Sequence, residues 1–184
     1  MPGTRINVVG ASCSGKTTMA AALAEVLDLA HVEMDALYHG PNWTPTPFPI
    51  LRDRVARLTA SDRWVVDGNY SQVREAFWGR ADTVVWLDLR LWIVLYRMFH
   101  RTRRRVFRKE RLWNDNREDL RSWLFSRDSL LLYTLRTYGS RRKEYMALLS
   151  APESAHLVKV HLARPAEARR WLADVSAARS APKR

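Results

Sequence analysis

Apolar segments recur along the chain, and segments with helical spacing follow them. The predicted strands cover residues 5–9, 30–34, 63–66, 83–87 and 156–162. Most of them are apolar throughout rather than alternating, which is typical of parallel strands covered by helices on both faces. The pattern therefore predicts a three-layer α/β/α fold around a five-stranded parallel sheet.

Apolar positions spaced about 3.6 residues apart predict the helices. These cover residues 16–27, 51–58, 91–105, 129–138, 141–149 and 165–175, with Gly139 separating the fourth from the fifth. Helix 91–105 carries Trp92, Tyr96 and Phe99 on one side, and we expect that side to pack against the sheet. Residues 40–49 hold four prolines, which predict a shaped loop rather than a regular element.

The length of the chain predicts one domain. A chain of 184 residues fits a single hydrophobic core, and neither a repeat nor a linker interrupts the pattern. We expect the domain to span residues 1–175 and residues 176–184 to form a disordered tail.

The charge balance is strongly basic. The formal net charge is +12, and only five of the 31 basic residues are lysine. Because guanidinium groups match phosphate geometry bidentately, a phosphate-rich partner such as a nucleotide, a nucleic acid or an anionic lipid is expected. A general compositional bias toward arginine explains the scattered arginines equally well.

Cysteine content and hydropathy indicate the compartment. Cys13 is the only cysteine, so an intrachain disulfide is excluded and a reducing compartment is expected. The most apolar stretch, residues 83–99, contains Asp88, Arg90 and Arg97, which argues against a membrane span. With no secretory leader recognised in the sequence, we expect a cytoplasmic protein.

One motif carries a specific chemistry. Residues 10–17 read Gly-Ala-Ser-Cys-Ser-Gly-Lys-Thr and match G-x-x-x-x-G-K-[ST] between a predicted strand and a predicted helix. The glycines allow successive N–H groups to turn toward phosphate oxygens, and the helix N-terminus adds partial positive charge. In this pattern Lys16 reaches the β- and γ-phosphates while the Thr17 hydroxyl joins the Mg²⁺ shell. The motif predicts that ATP or another nucleoside triphosphate binds with Mg²⁺ at Gly10, Ala11, Ser12, Cys13, Ser14, Gly15, Lys16, Thr17 and Thr18.

Such a phosphate-binding loop (P-loop) occurs in GTPases, motors, AAA machines and small kinases, so other features must select the reaction. The sequence has no Asn-Lys-x-Asp motif for reading guanine, and it is too short for the helical lid domain of an AAA machine. Small kinases are therefore favoured.

The order of the motifs resembles the adenylate, shikimate and gluconate kinase group. After the P-loop come Glu33-x-Asp35, then Asp67-Gly68, then an arginine-rich stretch. The strings RWVVDGNY at 63–70, GPNWTP at 40–45 and FSRD at 125–128 are similar to a branch of that group often labelled topology modulation proteins. The resemblance covers about residues 5–173. It implies a P-loop NTPase fold, an acceptor loop near 36–60 and an arginine-rich helical lid near 100–128, but no acceptor.

Carboxylates close several predicted strands. Asp67 and Asp88 should both lie at the carboxyl edge of the sheet, where either could hold Mg²⁺ through water, and Asp88 could instead cap a helix. The resemblance favours Asp67, which matches the Asp-Gly after the third strand of adenylate kinases. It also implies that Glu33 touches the magnesium shell through water and that Asp35 orients or deprotonates the acceptor. Glu33 stands where shikimate-like kinases have Asp. If the second strand persists, Glu33 and Asp35 share a face.

Aromatic and basic residues supply the expected acceptor contacts. Tyr38 and Trp43 fall in the segment where the resembling kinases hold the acceptor, although packing within the loop explains them as well. Tyr70 follows Asp67-Gly68, and we expect it to contact the acceptor together with Arg74 as an anion clamp.

Six arginines between residues 97 and 108 coincide with the lid hinge of adenylate kinase-like proteins. Phosphoryl transfer depends on positioning and charge neutralisation, so we predict catalytic roles for Arg101 and Arg105, the alternative being a solvated basic face.

The leading hypothesis is an ATP-dependent phosphotransferase, monomeric or homodimeric, with an unidentified acceptor. A nucleotide-regulated nucleic-acid-binding protein is the alternative, and a membrane-surface role for residues 91–108 ranks third.

Overall fold

The computed structural model describes residues 1–107, 114, 116 and 129–180. Within these residues, five parallel strands form one sheet in the order β2-β3-β1-β4-β5. The strands are β1 (Arg5–Gly10), β2 (Ala30–Glu33), β3 (Trp64–Asp67), β4 (Thr83–Leu87) and β5 (Val158–Leu162). Helices flank the sheet, which confirms the predicted α/β fold class.

Six α-helices connect or follow the strands in the described part of the chain. They are α1 (Lys16–Leu27), α2 (Met34–Tyr38), α3 (Phe48–Leu58), α4 (Leu91–Phe107), α5 (Leu130–Ser150) and α6 (Pro165–Ser180). Short 3₁₀ turns cover Pro41–Trp43, Ser71–Ala76, Trp78–Arg80 and Pro152–Ser154.

The sheet is buried on both faces, which explains why its strands are apolar without alternation. On one face, strand residues pack with Leu51 and Val55 of α3 and with Tyr145 of α5. On the other, strand residues pack with Leu23 of α1 and Val175 of α6.

The strand register brings the candidate site together. In the parallel pairings of β1, Val8 lies beside Asp67 of β3 and Gly10 lies beside Leu87 of β4. The segment after β1 therefore leaves the sheet between the ends of β3 and β4, next to Asp67 on one side and Asp88 on the other.

Several predicted boundaries were wrong. Strand β2 ends at Glu33, because the fully buried Met34 already begins α2. Asp35 therefore lies on a helix and does not share a strand face with Glu33. Helix α3 begins at Phe48 rather than residue 51, since Pro49 falls in the first turn, where a missing N–H costs nothing.

Two further boundaries concern the last helices. Helix α5 is continuous through Gly139, where nothing lies within 4 Å of an added Cβ, so the glycine sits on an open helix surface and does not break the helix. Helix α6 continues to Ser180, so residues 176–180, which were expected to be disordered, are helical. Residues 181–184 lie outside the described residues.

The expected packing of α4 was also wrong. Trp92 and Tyr96 are 65% and 61% exposed, whereas Val94, Met98 and Thr102 are buried. Because this helix carries apolar residues on two opposite sides, periodicity alone did not reveal which side meets the protein. Among the described helices, none is long and apolar enough to span a membrane.

Candidate functional site

The loop between β1 and α1 has the backbone that its sequence predicts. Gly10, Cys13 and Gly15 have φ of 151°, 60° and 99°, values that glycine adopts readily and other residues rarely do. A Cβ on Gly10 would lie 2.6 Å from the Leu87 carbonyl oxygen, so this position has no room for a side chain. Inside the loop the Ser14 N–H donates to the Ala11 carbonyl at 3.2 Å, which curls the chain toward the start of α1.

Lys16 lies across the mouth of this loop. Its Nζ donates to the Ala11 carbonyl oxygen at 3.1 Å. Burial lowers the pKa of Lys16, and the nearby carboxylates of Asp35 and Asp67 partly oppose that effect. A poorly hydrated ammonium group gains from an anionic ligand, which fits the predicted phosphate contact.

Asn69 fixes the start of the loop, a role that the sequence analysis missed. Its Oδ1 accepts from the Gly10 N–H at 3.2 Å, and its Nδ2 donates to the Gly10 carbonyl. The Tyr145 hydroxyl also donates to Asn69 Oδ1 at 3.0 Å, and burial raises the pKa of Tyr145 to about 12. The only sequence signal for Asn69 was its place directly after Asp67-Gly68.

Asp67 lies at the end of β3 and is 3% exposed. Its Oδ1 receives no hydrogen bond from the described residues, and His31 Nε2 lies 3.5 Å away. The neighbouring Asp67 carboxylate raises the pKa of His31. A buried carboxylate oxygen that lacks a hydrogen-bond donor can accept a hydrogen bond from a water molecule bound to Mg²⁺. Such waters are common, because Mg²⁺ usually keeps several waters and few protein ligands.

The other predicted metal contacts lie nearby in the fold. Thr17 is exposed in the first turn of α1, and Glu33 of β2 pairs in register with Asp67. Among the described residues no group of three or more histidine, cysteine or acidic side chains could hold a metal on its own. The magnesium contacts of Thr17, Glu33 and Asp67 stay a prediction.

The predicted acceptor residues Asp35, Tyr38 and Tyr70 meet in the structure. The Tyr70 hydroxyl donates to Asp35 Oδ1 at 2.7 Å. Burial raises the pKa of Tyr70, and the negative charge of Asp35 adds to this effect. The Tyr38 ring centroid lies 5.1 Å from that of Tyr70 and 5.9 Å from that of Phe48. These rings pack on one another beside the carboxylate.

Trp43 belongs to a loop that two asparagines hold in place. The Trp43 N–H donates to Asn116 Oδ1 at 3.0 Å, and Asn116 Nδ2 donates to the Gly40 carbonyl at 2.9 Å. Asn114 Nδ2 donates to the His39 carbonyl at 2.6 Å. Both asparagines come from the predicted lid, so the predicted acceptor loop and lid are in contact.

Arg74 is engaged with helix α5. Its guanidinium pairs with Glu144 at 2.7 Å and lies over the rings of Trp78 and Tyr145, at 5.7 Å and 5.5 Å from their centroids. In this conformation the predicted anion clamp already has an anionic partner. Its contact with an acceptor stays a prediction.

Among the arginines of α4, Arg97 reaches the P-loop. Its Nη1 donates to the Ser14 carbonyl at 2.7 Å. Arg101 and Arg105 follow four and eight residues later and share its side of the helix. Their catalytic role stays a prediction, and most of the predicted lid, residues 108–113, 115 and 117–128, lies outside the described residues.

An open pocket lies between the start of the P-loop, the end of β4 and helix α5. Arg141 of α5 lines it, lies over the Tyr133 ring at 5.3 Å from the centroid, and is close enough for its charge to help lower the pKa of Lys16. Asp88 lines the same pocket but is bound by Arg142 at 3.0 Å and by His161 at 2.9 Å. Of the two candidate carboxylates, Asp67 is therefore the more suitable acceptor for a hydrogen bond from a water molecule bound to Mg²⁺. The sequence analysis singled out neither Arg141 nor Arg142.

Solved structures with similar folds include small-molecule kinases. A sugar kinase from Janibacter sp. HTCC2649 is 21% identical with a TM-score of 0.50, over 98% of this chain and 100% of that chain. A shikimate kinase from Acinetobacter baumannii, in complex with shikimate, is 17% identical with a TM-score of 0.54, over 92% and 89%. A gluconokinase from Sinorhizobium meliloti 1021 is 24% identical with a TM-score of 0.48, over 96% and 95%.

Comparison of the sequence itself adds no closer assignment. No protein-family model matches it, and no curated protein matches it either. At the identities found, the likeness to solved structures establishes the fold and leaves the reaction open. The chain therefore has the fold of the P-loop kinases, with five parallel strands and flanking helices.

Proposed function

We propose that the chain is a kinase that transfers the γ-phosphoryl group of Mg²⁺-ATP to a hydroxyl or phosphate group of a small acceptor. The observation that carries this proposal is the convergence of Lys16, Asp35 and Asp67 at one edge of the sheet. The negative charges of Asp35 and Asp67 both raise the pKa of Lys16. A phosphate-binding lysine and an acceptor-side carboxylate are the two groups that transfer to a small molecule requires.

The nucleotide occupies the P-loop in this proposal. Backbone N–H groups between residues 11 and 18 would surround the phosphates, since Asn69 already accepts from the Gly10 N–H, and Lys16 would turn from the Ala11 carbonyl to the β- and γ-phosphates. Thr17 would hold the magnesium ion directly, and Asp67 and Glu33 would hold it through water. When bound, Mg²⁺ neutralises charge on the β- and γ-phosphate oxygens.

The acceptor takes the place of the Tyr70 hydroxyl beside Asp35. In the structure Asp35 Oδ1 accepts a hydrogen bond at 2.7 Å, so the carboxylate is already oriented toward a hydroxyl group. An acceptor hydroxyl at that position would be aligned, and its proton accepted, by Asp35. Tyr38, Trp43, Tyr70 and Arg74 then form the wall around the acceptor.

In this proposal arginines stabilise the negative charge on the phosphoryl group during its transfer. Arg97 already contacts the P-loop and Arg141 lines its open side. Arg101 and Arg105 approach from the predicted lid, which excludes water from the reaction so that the phosphoryl group is transferred rather than hydrolysed.

The strings at residues 40–45, 63–70 and 125–128 support placing the chain in the branch labelled topology modulation proteins. Nucleosides, nucleotides and small polyols are the acceptors to try.

A panel of these acceptors, scored by ADP release in the presence of Mg²⁺-ATP, tests the proposal. We expect one class to raise ADP release well above the rate in water. With that acceptor, Asp35→Asn should lower kcat by about 10²- to 10⁴-fold while leaving ATP affinity unchanged, because it removes only the proton-accepting group.

Asp53→Asn is the matched control, since Asp53 is an exposed carboxylate on α3. It should change neither rate nor affinity. Turnover that no acceptor stimulates, or an Asp35→Asn variant as active as the control, would contradict the proposal. Binding to DNA that weakens steeply with salt would then favour the nucleic-acid alternative.

A further inference from the structure

Two elements of the fold, α5 and β5, supply partners to the carboxylate of Asp88. Arg142 Nε of α5 lies 3.0 Å from both carboxylate oxygens, and His161 Nε2 of β5 lies 2.9 Å from Oδ2. The Asp88 side chain is only 4% exposed, and its backbone N–H donates to the Leu162 carbonyl at 3.0 Å. The His161 ring also stacks on Trp86 with centroids 4.6 Å apart. We call Asp88, Arg142 and His161 the β4–α5 clasp.

A buried carboxylate of this kind strongly restricts its partners. Removing an ion from water is costly, so the charge of Asp88 requires close, well-oriented donors. Arg142 provides one nitrogen equidistant from both oxygens, which fixes the direction of its side chain as well as its distance. The clasp therefore limits both the sliding of α5 along its axis and its rotation about that axis, relative to the end of β4.

Helix α5 has few other constraints of comparable depth. Of its 21 residues, all of them described, only Thr134 and Tyr145 are fully buried. Tyr145 lies in the core with Leu148 and Leu149 packed beside it, so the C-terminal turns of α5 are held by apolar contacts, whereas the turns before residue 141 bury only Thr134. Its remaining polar anchors include the Tyr138 hydroxyl, which donates to the Leu89 carbonyl at 2.9 Å, immediately beside the clasp.

Arg141 precedes Arg142 directly and lines the pocket at the P-loop. Neighbouring residues on an α-helix point about 100° apart, so the direction of Arg142 determines where Arg141 points. With Arg142 held by Asp88, Arg141 lies over Tyr133 and within electrostatic range of Lys16. A rotation of α5 by a small angle would move that guanidinium away from the phosphates.

We propose that Asp88, Arg142 and His161 are positioning residues that hold α5 so that Arg141 faces the transferred phosphoryl group. The clasp acts through Arg141 and does not itself touch the substrate. This inference rests on the proposed function, since it assigns a role within phosphoryl transfer.

The test is a double-mutant cycle that needs no known acceptor. The readout is the affinity for ADP with aluminium fluoride, a mimic of the phosphoryl group in transfer, compared with the affinity for ADP alone, both by calorimetry. Arg141→Ala should weaken binding of the mimic about 10²- to 10³-fold, as loss of a charge-stabilising donor does. Arg142→Ala should weaken it about 10- to 100-fold, as loss of a supporting partner does. Neither variant should change ADP affinity by more than about twofold.

Non-additivity separates positioning from a general structural effect. In the Arg141→Ala background, Arg142→Ala should cause no further loss of mimic affinity, because nothing remains to be positioned. Asp88→Asn should behave like Arg142→Ala, and Lys143→Ala, which removes the adjacent exposed cation, should behave like the wild type.

Each outcome has one meaning. Additive losses, or an Arg142→Ala variant that binds the mimic normally, would overturn the positioning role while leaving the kinase proposal intact. A wild-type protein that binds ADP but gains nothing from aluminium fluoride would overturn both.

Discussion

Substitution of Gly10 by alanine tests the backbone of the P-loop directly. An added Cβ would lie 2.6 Å from the Leu87 carbonyl oxygen, and Gly10 has a φ of 151°. Ordinary carbon–oxygen contacts lie at about 3.3–3.6 Å, so that oxygen must move by about 0.7 Å. Backbone strain of about 1–3 kcal/mol and overpacking of about 1–3 kcal/mol together predict a loss of about 2–6 kcal/mol in the free energy of unfolding.

Thermal unfolding with and without Mg²⁺-ATP is the measurement. We expect Gly10→Ala to lower Tm by roughly 5–20 °C and to lose the stabilisation that the nucleotide provides. Gly139→Ala is the control, because nothing lies within 4 Å of its Cβ and alanine is the better helix former. It should raise Tm by roughly 2–4 °C. A Gly10→Ala protein that melts with the wild type and still responds to nucleotide would refute the loop geometry.

The remaining predictions concern two charged pairs. The Asp67 carboxylate beside His31 raises the pKa of His31 in the folded protein. The contribution of this pair to stability is therefore fully present below the usual His pKa of 6.5 and is lost as pH rises through the raised value. Chemical unfolding should therefore show His31→Gln to be destabilising at acidic pH and nearly neutral at alkaline pH; the reverse order would contradict the pairing. For Arg74 and Glu144, 17% and 45% exposed, a double-mutant cycle should give a coupling of about 0.5–1 kcal/mol with unchanged ATP affinity. A coupling of zero would contradict a stabilising role for this pair.

The sequence predicted the layers of the fold because burial leaves a strong pattern. A strand covered on both faces must be apolar throughout, and residues 83–87 showed that pattern and form β4. The P-loop was equally predictable, since its chemistry depends on local backbone freedom at Gly10 and Gly15. Helix α4 was harder, because Trp92 and Val94 are both apolar and only tertiary packing buries one of them.

The site beyond the P-loop depends on contacts between distant parts of the chain. Asn69 reaches Gly10 across 59 positions, and Arg142 reaches Asp88 across 54. No local pattern distinguishes such residues from surface asparagines and arginines. Arg141 was missed for the same reason, and the assignment of residues 1–175 to a single domain stays a prediction.

Calorimetric titration of the wild-type chain and a Lys16→Ala variant with Mg²⁺-ATP and Mg²⁺-GTP tests the central claim most directly. We expect saturable binding of at least one of them by the wild type and at least about tenfold weaker binding by Lys16→Ala, because a charge-assisted contact to phosphate is removed. Lys159→Ala, which removes an exposed lysine on β5, should bind like the wild type. Absence of heat with both nucleotides, or equal affinity of the wild type and Lys16→Ala, would contradict it.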